Sequence, residues 1–494
     1  MIQSEDPSIS QIAEINQALD SAMAGEYAFG FHHLTVMVVA NSKKELDDIV
    51  SQVNVEFINI GIISVREGIN MPASFWAQLP GNSQYAARKA IISTKNLAGF
   101  SSFHNYPEGK ISGNHWGDAV TIFNTTSGTP YFFNFHVRDV GHTMIVGPTG
   151  AGKTVLMNFL CAQAQKFKPK MFFFDKDRGA EIFIRAIGGK YTTIDAAKPT
   201  GFNPLLLADS YENRAFLLEW LQILLTANGE KITAQDITTI THAIEGNYRL
   251  ARKDRRLSNI APFFGIEGPD TLGGRLAQWH SGGTRAQLFD NTDDIIDFSS
   301  ARIFGFEMGE ILKDQIALKP ALLYLFHRIN SSLQGENTMI VLDEAWALID
   351  NEVFASRIKN WLKVLRKLNA MVVFATQSVE DASKSAISDT LVQQTATQIF
   401  LPNLKATESY KKVFMLSARE FSIIKSTDPS TRYFLVKQDM NAVVTRIDLR
   451  GMTDIINVLS GRIDTVLLLD KIREQVGDAP ADWLPIFLKE VKAL

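Results

Sequence analysis

The rhythm of apolar and polar positions changes along this chain, and each change marks a part of it. The longest uncharged apolar stretch, Phe29–Ala40, predicts a buried strand, with the β-branched run His33–Val39 inside it. Ser42 is placed to cap a helix, and Leu46, Ile49, Val50 and Val53 recur at helical spacing through Lys43–Phe57. Ile62–Arg66 predicts a second strand, and the Gly-rich polar stretch Pro107–Gly117 predicts a connector. From about residue 118 short apolar runs without charge alternate with helical patterns: Ala119–Phe123, Tyr131–Val137, Thr143–Val146, Met171–Phe174, Ile303–Met308, Met339–Leu342 and Val372–Ala375. Runs of that kind suit strands covered on both faces, as in a parallel sheet. Residues 206–290 break the alternation. Asp209–Thr226 puts Phe216, Leu217, Trp220, Leu221, Leu224 and Leu225 on one helical face, and a loop-rich stretch follows. The tail returns to strands near Tyr433–Val436 and Ala442–Ile447, then to helical patterns at Thr465–Val476 and Trp483–Val491.

The predicted class is α/β, with a helical insertion and a small α+β region in front whose β-α-β order resembles part of a ferredoxin-like unit. The expected parts are 1–117, a core of 118–205 and 291–460, the insertion 206–290 and a C-terminal helical segment 461–494. Composition sets bounds on this. At 46% hydrophobic and 21% charged residues the chain is globular, which excludes disordered and collagenous classes. Fifty Lys and Arg against 53 Asp and Glu leave a formal net charge of −3, so any nucleic-acid contact must come from a local patch. The single cysteine, Cys161, forms no internal disulfide and fits a reducing compartment. No apolar run reaches the ~18 residues of a transmembrane helix, and the polar, acidic start MIQSEDPSIS predicts neither a signal nor a transit peptide.

The clearest chemistry lies at 147–154. Gly147, Pro148, Thr149, Gly150, Ala151, Gly152, Lys153 and Thr154 match GxxxxGK[ST], after the strand Thr143–Val146 and before a helix opened by Val155 and running to Phe167. In such a loop the glycines let successive N–H groups turn toward phosphate oxygens, and the helix N-terminus adds its dipole. Lys153 is expected to reach the β- and γ-phosphates of ATP, and the Thr154 hydroxyl to coordinate Mg²⁺.

Four apolar residues, Met339–Leu342, end in Asp343 and Glu344. A buried strand would deliver this pair to the carboxyl edge of the sheet, where α/β proteins bind ligands. Asp343 is expected to hold the Mg²⁺ shell, and Glu344 to polarise the attacking water. Val372–Ser378 repeats the logic, which makes Gln377 a candidate γ-phosphate sensor. Arg366 and Lys367 end a helical run whose apolar face is Trp361, Leu362, Leu365 and Leu368. Arg366 is either a finger offered to a neighbouring subunit or an ordinary cation at a helix C-terminus. Asp175–Gly179 (DKDRG) either positions nucleotide or a neighbouring subunit, or is a turn closed by glycine. The cluster Arg249, Arg252, Lys253, Arg255 and Arg256 admits transient DNA contact, though a solvated face or protein-docking surface is the stronger expectation.

Taken in order, these residues resemble the CagE/TrbE/VirB family of type IV secretion ATPases. The segments that carry the likeness are FHVRDVGHTMIVGPTGAGKT, DKDRG at 175–179, GFNPL at 201–205, LGGRLAQW at 272–279 and LFDN at 288–291. VLDEAW at 341–346, FATQS at 374–378, QQTATQIFLPN at 393–403 and LSGR at 459–462 continue it. The likeness runs from about residue 20 to the C-terminus. It implies a RecA-like P-loop NTPase core of the FtsK/HerA kind and ATP hydrolysis that powers pilus biogenesis and the transfer of protein or DNA. It also implies a hexamer on the cytoplasmic face of the bacterial inner membrane, in contact with other type IV secretion ATPases and inner-membrane components. By motif, Lys153 and Thr154 would bind phosphate and Mg²⁺, Asp343 and Glu344 would serve metal and water, Gln377 would sense, and Arg366 would be the finger. Members of the family usually carry a longer N-terminal domain, of which residues 1–117 are expected to be the latter part. The alternative is a DNA-translocating coupling ATPase of the FtsK/HerA type. The near-neutral charge favours the first reading.

Overall fold

The computed structural model describes residues 9–59, 61–100, 106–268, 270–345, 352–377 and 388–493. Trp346 and Ser378, which end two of the family segments, and the first eight residues lie outside the described residues. The chain divides into two compact units, residues 1–105 and 106–494.

The first unit contains two long helices, Ile9–Met23 and Lys43–Asn59, two short ones, Met71–Trp76 and Thr94–Phe100, and a two-stranded antiparallel sheet of β1 (Phe29–His32) and β2 (Ala90–Ser93). The helix is where periodicity places it, with Ser42 accepting from the Glu45 N–H. The strand expectations need correction. Of Phe29–Ala40 only Phe29–His32 pairs, and neither His33–Val39 nor Ile62–Arg66 is a strand. No ferredoxin-like β-α-β unit forms among the described residues. A β-branched run favours an extended backbone, but a strand exists only where another backbone supplies the ladder. The stretch is also not buried: Phe31, Val36, Val39, Ile63 and Val65 are exposed.

The second unit is built on one sheet. Its strands are β3 (Thr121–Thr125), β4 (Pro130–Phe133), β5 (Thr143–Val146), β6 (Lys170–Asp175), β7 (Lys190–Thr193), β8 (Ile303–Glu307), β9 (Thr338–Leu342), β10 (Ala370–Thr376), β11 (Thr397–Phe400), β12 (Tyr433–Gln438) and β13 (Asn441–Arg446). The spatial order is β4-β3-β13-β12-β11-β5-β10-β9-β6-β8-β7. From β11 to β7 all neighbours are parallel, and the other pairings are antiparallel. The mixed sheet with a parallel centre is the α/β class expected. Strands β7 and β11 escaped sequence reading because Thr and Gln dilute their apolar content.

Between their polar ends the central strands β5, β6, β9 and β10 are apolar, because the sheet has two covered faces. Met144, Val146, Phe172, Phe174, Ile340, Leu342, Val372 and Phe374 pack into one core. Their alternate neighbours Ile145, Met171, Phe173, Met339, Val341, Met371 and Val373 pack into the other. The helix Lys153–Ala164 covers the second face with Leu156, Met157, Leu160 and Cys161. Burial pushes the Cys161 thiol well above its usual range, so it is an inert apolar filler.

Between β7 and β8 the chain forms helices Tyr211–Leu225 and Ala234–Arg249 and shorter turns. The first is capped by Ser210 and the second by a Thr233–Asp236 capping box. Phe216, Leu217, Trp220, Leu221, Leu224 and Leu225 are all buried, in the same core as β6 and β8. The segment is therefore part of the sheet's cover. Two family segments meet here: Asn203 of GFNPL donates to the Asn291 carbonyl of LFDN, and Asn291 donates back to the Phe202 carbonyl.

Helices Ile463–Val476 and Pro480–Glu490 close the chain, with Trp483 and Phe487 packed on Val466, Leu469 and Ile182. Their approach is set by a glycine contact, since a Cβ on Gly461 would stand 2.3 Å from the Gly179 Cα. Gly461→Ala should therefore lower stability by about 1–3 kcal/mol, as overpacking against backbone does. A thermal melt checks this, and an unchanged midpoint would contradict the close approach.

Candidate nucleotide-binding site

β5 lies between β10 and β11, where the sheet's chain order changes, and its carboxyl end opens the loop Gly147–Thr154. Gly150 and Gly152 have φ of +80° and +94°, so the loop needs glycine there. Gly147 is required for a different reason than backbone freedom. A Cβ there would lie 2.7 Å from Cδ1 of Leu401, which follows β11 in the family segment QQTATQIFLPN. The loop is tied to the sheet by the Gly147 N–H, which donates to the Thr376 carbonyl at 3.1 Å. Gly152 is the N-cap of the helix and supplies no side chain to its first N–H groups, which leaves them for an anion. Val155 lies in the first turn of that helix, partly buried.

Lys153 brings the two motifs together. It is buried, and its ammonium donates to Asp343 Oδ1 at 3.1 Å and to the Glu344 carboxylate. Asp343 stands just past β9, held by its N–H on the Phe174 carbonyl. Burial raises its pKa, and the Lys153 charge opposes that rise. Glu344 has φ +50°, a conformation uncommon outside glycine, and this turn aims its carboxylate back at Lys153. Gln377, just past β10, accepts a hydrogen bond from the Thr149 hydroxyl. Loop, acidic pair and Gln377 are thus one site. For Mg²⁺ the donor set has the right chemistry, a hydroxyl on Thr154 and a carboxylate on Asp343. Lys153 and the Glu344 N–H both engage Oδ1 of Asp343, which leaves Oδ2 for a cation.

Arg366 is not in this site. It follows the helix Glu352–Leu365, before β10, and pairs with Asp139. Seven residues of β10 separate the two edges of the sheet, roughly 20 Å at ~3.3 Å per residue. The DKDRG segment sits behind the loop. Asp175 is buried and accepts from the Ala180 N–H and the Tyr191 hydroxyl. Arg178 makes a two-pronged pair with Asp470 at 2.7 Å and also binds Glu181. A Cβ on Gly179 would lie 3.3 Å from Thr154 Cγ2, so this turn backs the Thr154 side chain. In the basic cluster, Arg252 donates to the Leu206 carbonyl and Arg255 to the Leu250 and Tyr248 carbonyls. Two of its five cations thus tie down backbone. One residue of the site carries no motif at all: the Arg432 guanidinium reaches the loop beside Gly152.

The geometry is that of a P-loop nucleotide-binding domain, and comparison with known proteins places it further. Residues 136–265 and 272–446 match the TraG P-loop domain, and residues 1–88 match the CagE, TrbE, VirB family, component of type IV transporter system. The chain belongs to the TraG P-loop family, whose model covers more than half of it, and its first part matches the CagE, TrbE, VirB family that the ordered segments resemble. It is 41% identical over 490 residues to the type IV secretion system protein virB4 of Bartonella henselae, covering 99% of this chain and 62% of that one. It is 35% identical over 514 residues to the type IV secretion system protein PtlC of Bordetella pertussis, covering 98% and 62%. The chain therefore spans about three fifths of the length of these relatives. Among solved structures, VirB4 of Thermoanaerobacter pseudethanolicus superposes with a TM-score of 0.56 at 15% identity, covering 70% of this chain and 99% of that one. The likeness of fold bears out the expected P-loop core. No helix among the described residues is long and apolar enough to cross a membrane.

If the Asp343–Glu344 turn depends on its cation, Lys153→Met should loosen it. Faster amide exchange at 342–345, with the core strands unchanged, is the expected readout; unchanged exchange there would contradict it.

Proposed function

We propose that this chain is the ATP-hydrolysing motor part of a bacterial type IV secretion system, powering pilus biogenesis and the transfer of protein or DNA. The observation that carries the reading is the meeting of Lys153, Asp343 and Glu344, with Gln377 on Thr149, in a chain whose relatives are named type IV secretion system proteins. The loop N–H groups and Lys153 bind the phosphates of ATP, and the incoming γ-phosphate takes over Lys153 from the two acids. Glu344, so released, is the base that orients and polarises the attacking water. Gln377 links the Thr149 side of the loop to the end of β10 and reports loss of the γ-phosphate. Thr154 and Asp343 would hold Mg²⁺, which when bound neutralises charge on the β- and γ-phosphates.

Arg366 lies at the far edge of the sheet from its own loop, so as a finger it must serve a neighbouring subunit. That supports a ring, with the hexamer of the family as its natural form, docked on other secretion ATPases and the inner-membrane complex from the cytoplasmic side. The DNA-translocating alternative has less support. The net charge is −3, and Arg252 and Arg255 of the basic cluster spend donors on backbone carbonyls.

Phosphate release from Mg²⁺·ATP tests the reading. Lys153→Ala should abolish nucleotide binding and turnover. Glu344→Gln should keep binding and lower turnover by about 100-fold or more. Turnover near wild type in either variant would refute the site. Arg366→Ala should lose only the activity that rises with protein concentration. If it equally depresses turnover in a preparation shown by mass to be monomeric, the trans role is refuted.

A further inference from the structure

Arg432 follows the turn Pro429–Thr431, whose cap Asp428 accepts from the Ser430 N–H, and it precedes β12. The sheet fixes where that point lies. Phe400 of β11 pairs with Val146 of β5 on one side and with Leu435 of β12 on the other. Because β12 runs antiparallel, its first residues sit at the edge where β5 ends and the phosphate loop begins. Two strand spacings, ~10 Å, separate them, a gap an arginine side chain largely spans. The side chain does cross it, with Nη1 3.9 Å from where a Cβ on Gly152 would be.

The backbone there is unusual. Arg432 has φ +59°, in the left-handed region. Glu344, the other non-glycine residue of the site in that region, is one of the two acids on Lys153. The conformation is that of a turn's C-cap, and it fixes a long cation on a capped turn beside the loop whose helix N-cap, Gly152, offers no side chain to its first N–H groups. The two cations of the site also differ in their partners. Lys153 is buried between Asp343 and Glu344, whereas Arg432 is exposed and joins no salt bridge among the described residues.

We propose that Arg432 binds the phosphate chain of the nucleotide held by the loop of its own subunit, as a second cation of the site acting in cis. The proposal rests on the nucleotide reading above and adds to it a residue outside every phosphate-binding motif. A planar fork of N–H donors suits phosphate oxygens, and a fixed turn lowers the cost of placing it.

Equilibrium titration of the whole chain with a fluorescent N-methylanthraniloyl ATP, with Mg²⁺ present, tests it. Arg432→Gly removes the cation and keeps the left-handed backbone, and it should weaken binding about tenfold or more. Arg432→Lys should recover most of that loss, to within about threefold of wild type. Both should melt with the wild-type midpoint in the absence of nucleotide. Binding by Arg432→Gly within twofold of wild type overturns the proposal. So does an equal loss in the Gly and Lys variants with a lowered melting midpoint, which marks a structural role. Lys153→Ala separates the two readings. If it binds as tightly as wild type, or if wild type does not bind, the nucleotide site itself fails. If only the Arg432 variants behave as wild type, this proposal alone fails.

Discussion

The register of three parallel strands is the constraint on which the site depends. Val146 lies level with Thr376, and Leu342 level with Phe374. The phosphate loop therefore starts about two residues, roughly 7 Å, further out than the acidic pair. That step lets Lys153 reach back from the first turn of its helix to meet Asp343 and Glu344. A slip of one residue in β9 would turn Asp343 to the opposite face of the sheet and leave a buried ammonium unmatched. Losing one partner of a buried ion group costs about 3–5 kcal/mol, while the intact group adds little net stability. The trio is better understood as a device for placing charge than as a source of stability.

The rest of the second unit holds that register. Two apolar cores clamp the sheet, one on each face, and the helical segment between β7 and β8 belongs to the first of them. Several family segments outside the phosphate loop are ties of this kind. Asn203 and Asn291 lock two loops together. Leu401 occupies the space a side chain on Gly147 would need, and Gly461 sits against Gly179. Arg178 joins the end of β6 to the C-terminal helices. Of these, Leu401 lies against the loop at Gly147, and Gly179, on which Gly461 packs, backs the Thr154 side chain.

Part of the backbone strain among the described residues lies where chemistry is expected, and part at ordinary turns such as Lys168 and Asn369. Glu344, Asp177, Arg178 and Arg432 all have left-handed backbones without being glycine, and all lie at or behind the carboxyl edge of the sheet. At that edge the chain must leave a strand sharply, and a side chain must be aimed rather than merely buried. The cost of such conformations is of order 1–3 kcal/mol each, and the two-sided core offsets it.

The class of fold and the centre of the site were legible from the chain alone, because they are local. Uncharged apolar runs mark covered strands, and GxxxxGKT carries its own geometry. Asp343 and Glu344 are legible because a strand must end in something polar. What was not legible depends on pairing between distant segments. His33–Val39 and Ile62–Arg66 have strand composition but no partner, so they form none. β7 and β11 have diluted composition but find partners, so they are strands. Arg366 is a strong cation by sequence, and only the direction of β10 puts it at the edge away from its own loop. Arg432 is an unremarked residue after a turn, and only the antiparallel return of β12 brings it beside Gly152. Local physics determined the elements and the phosphate loop. The order and direction of the strands, set by which backbones meet, decided which charges share a site.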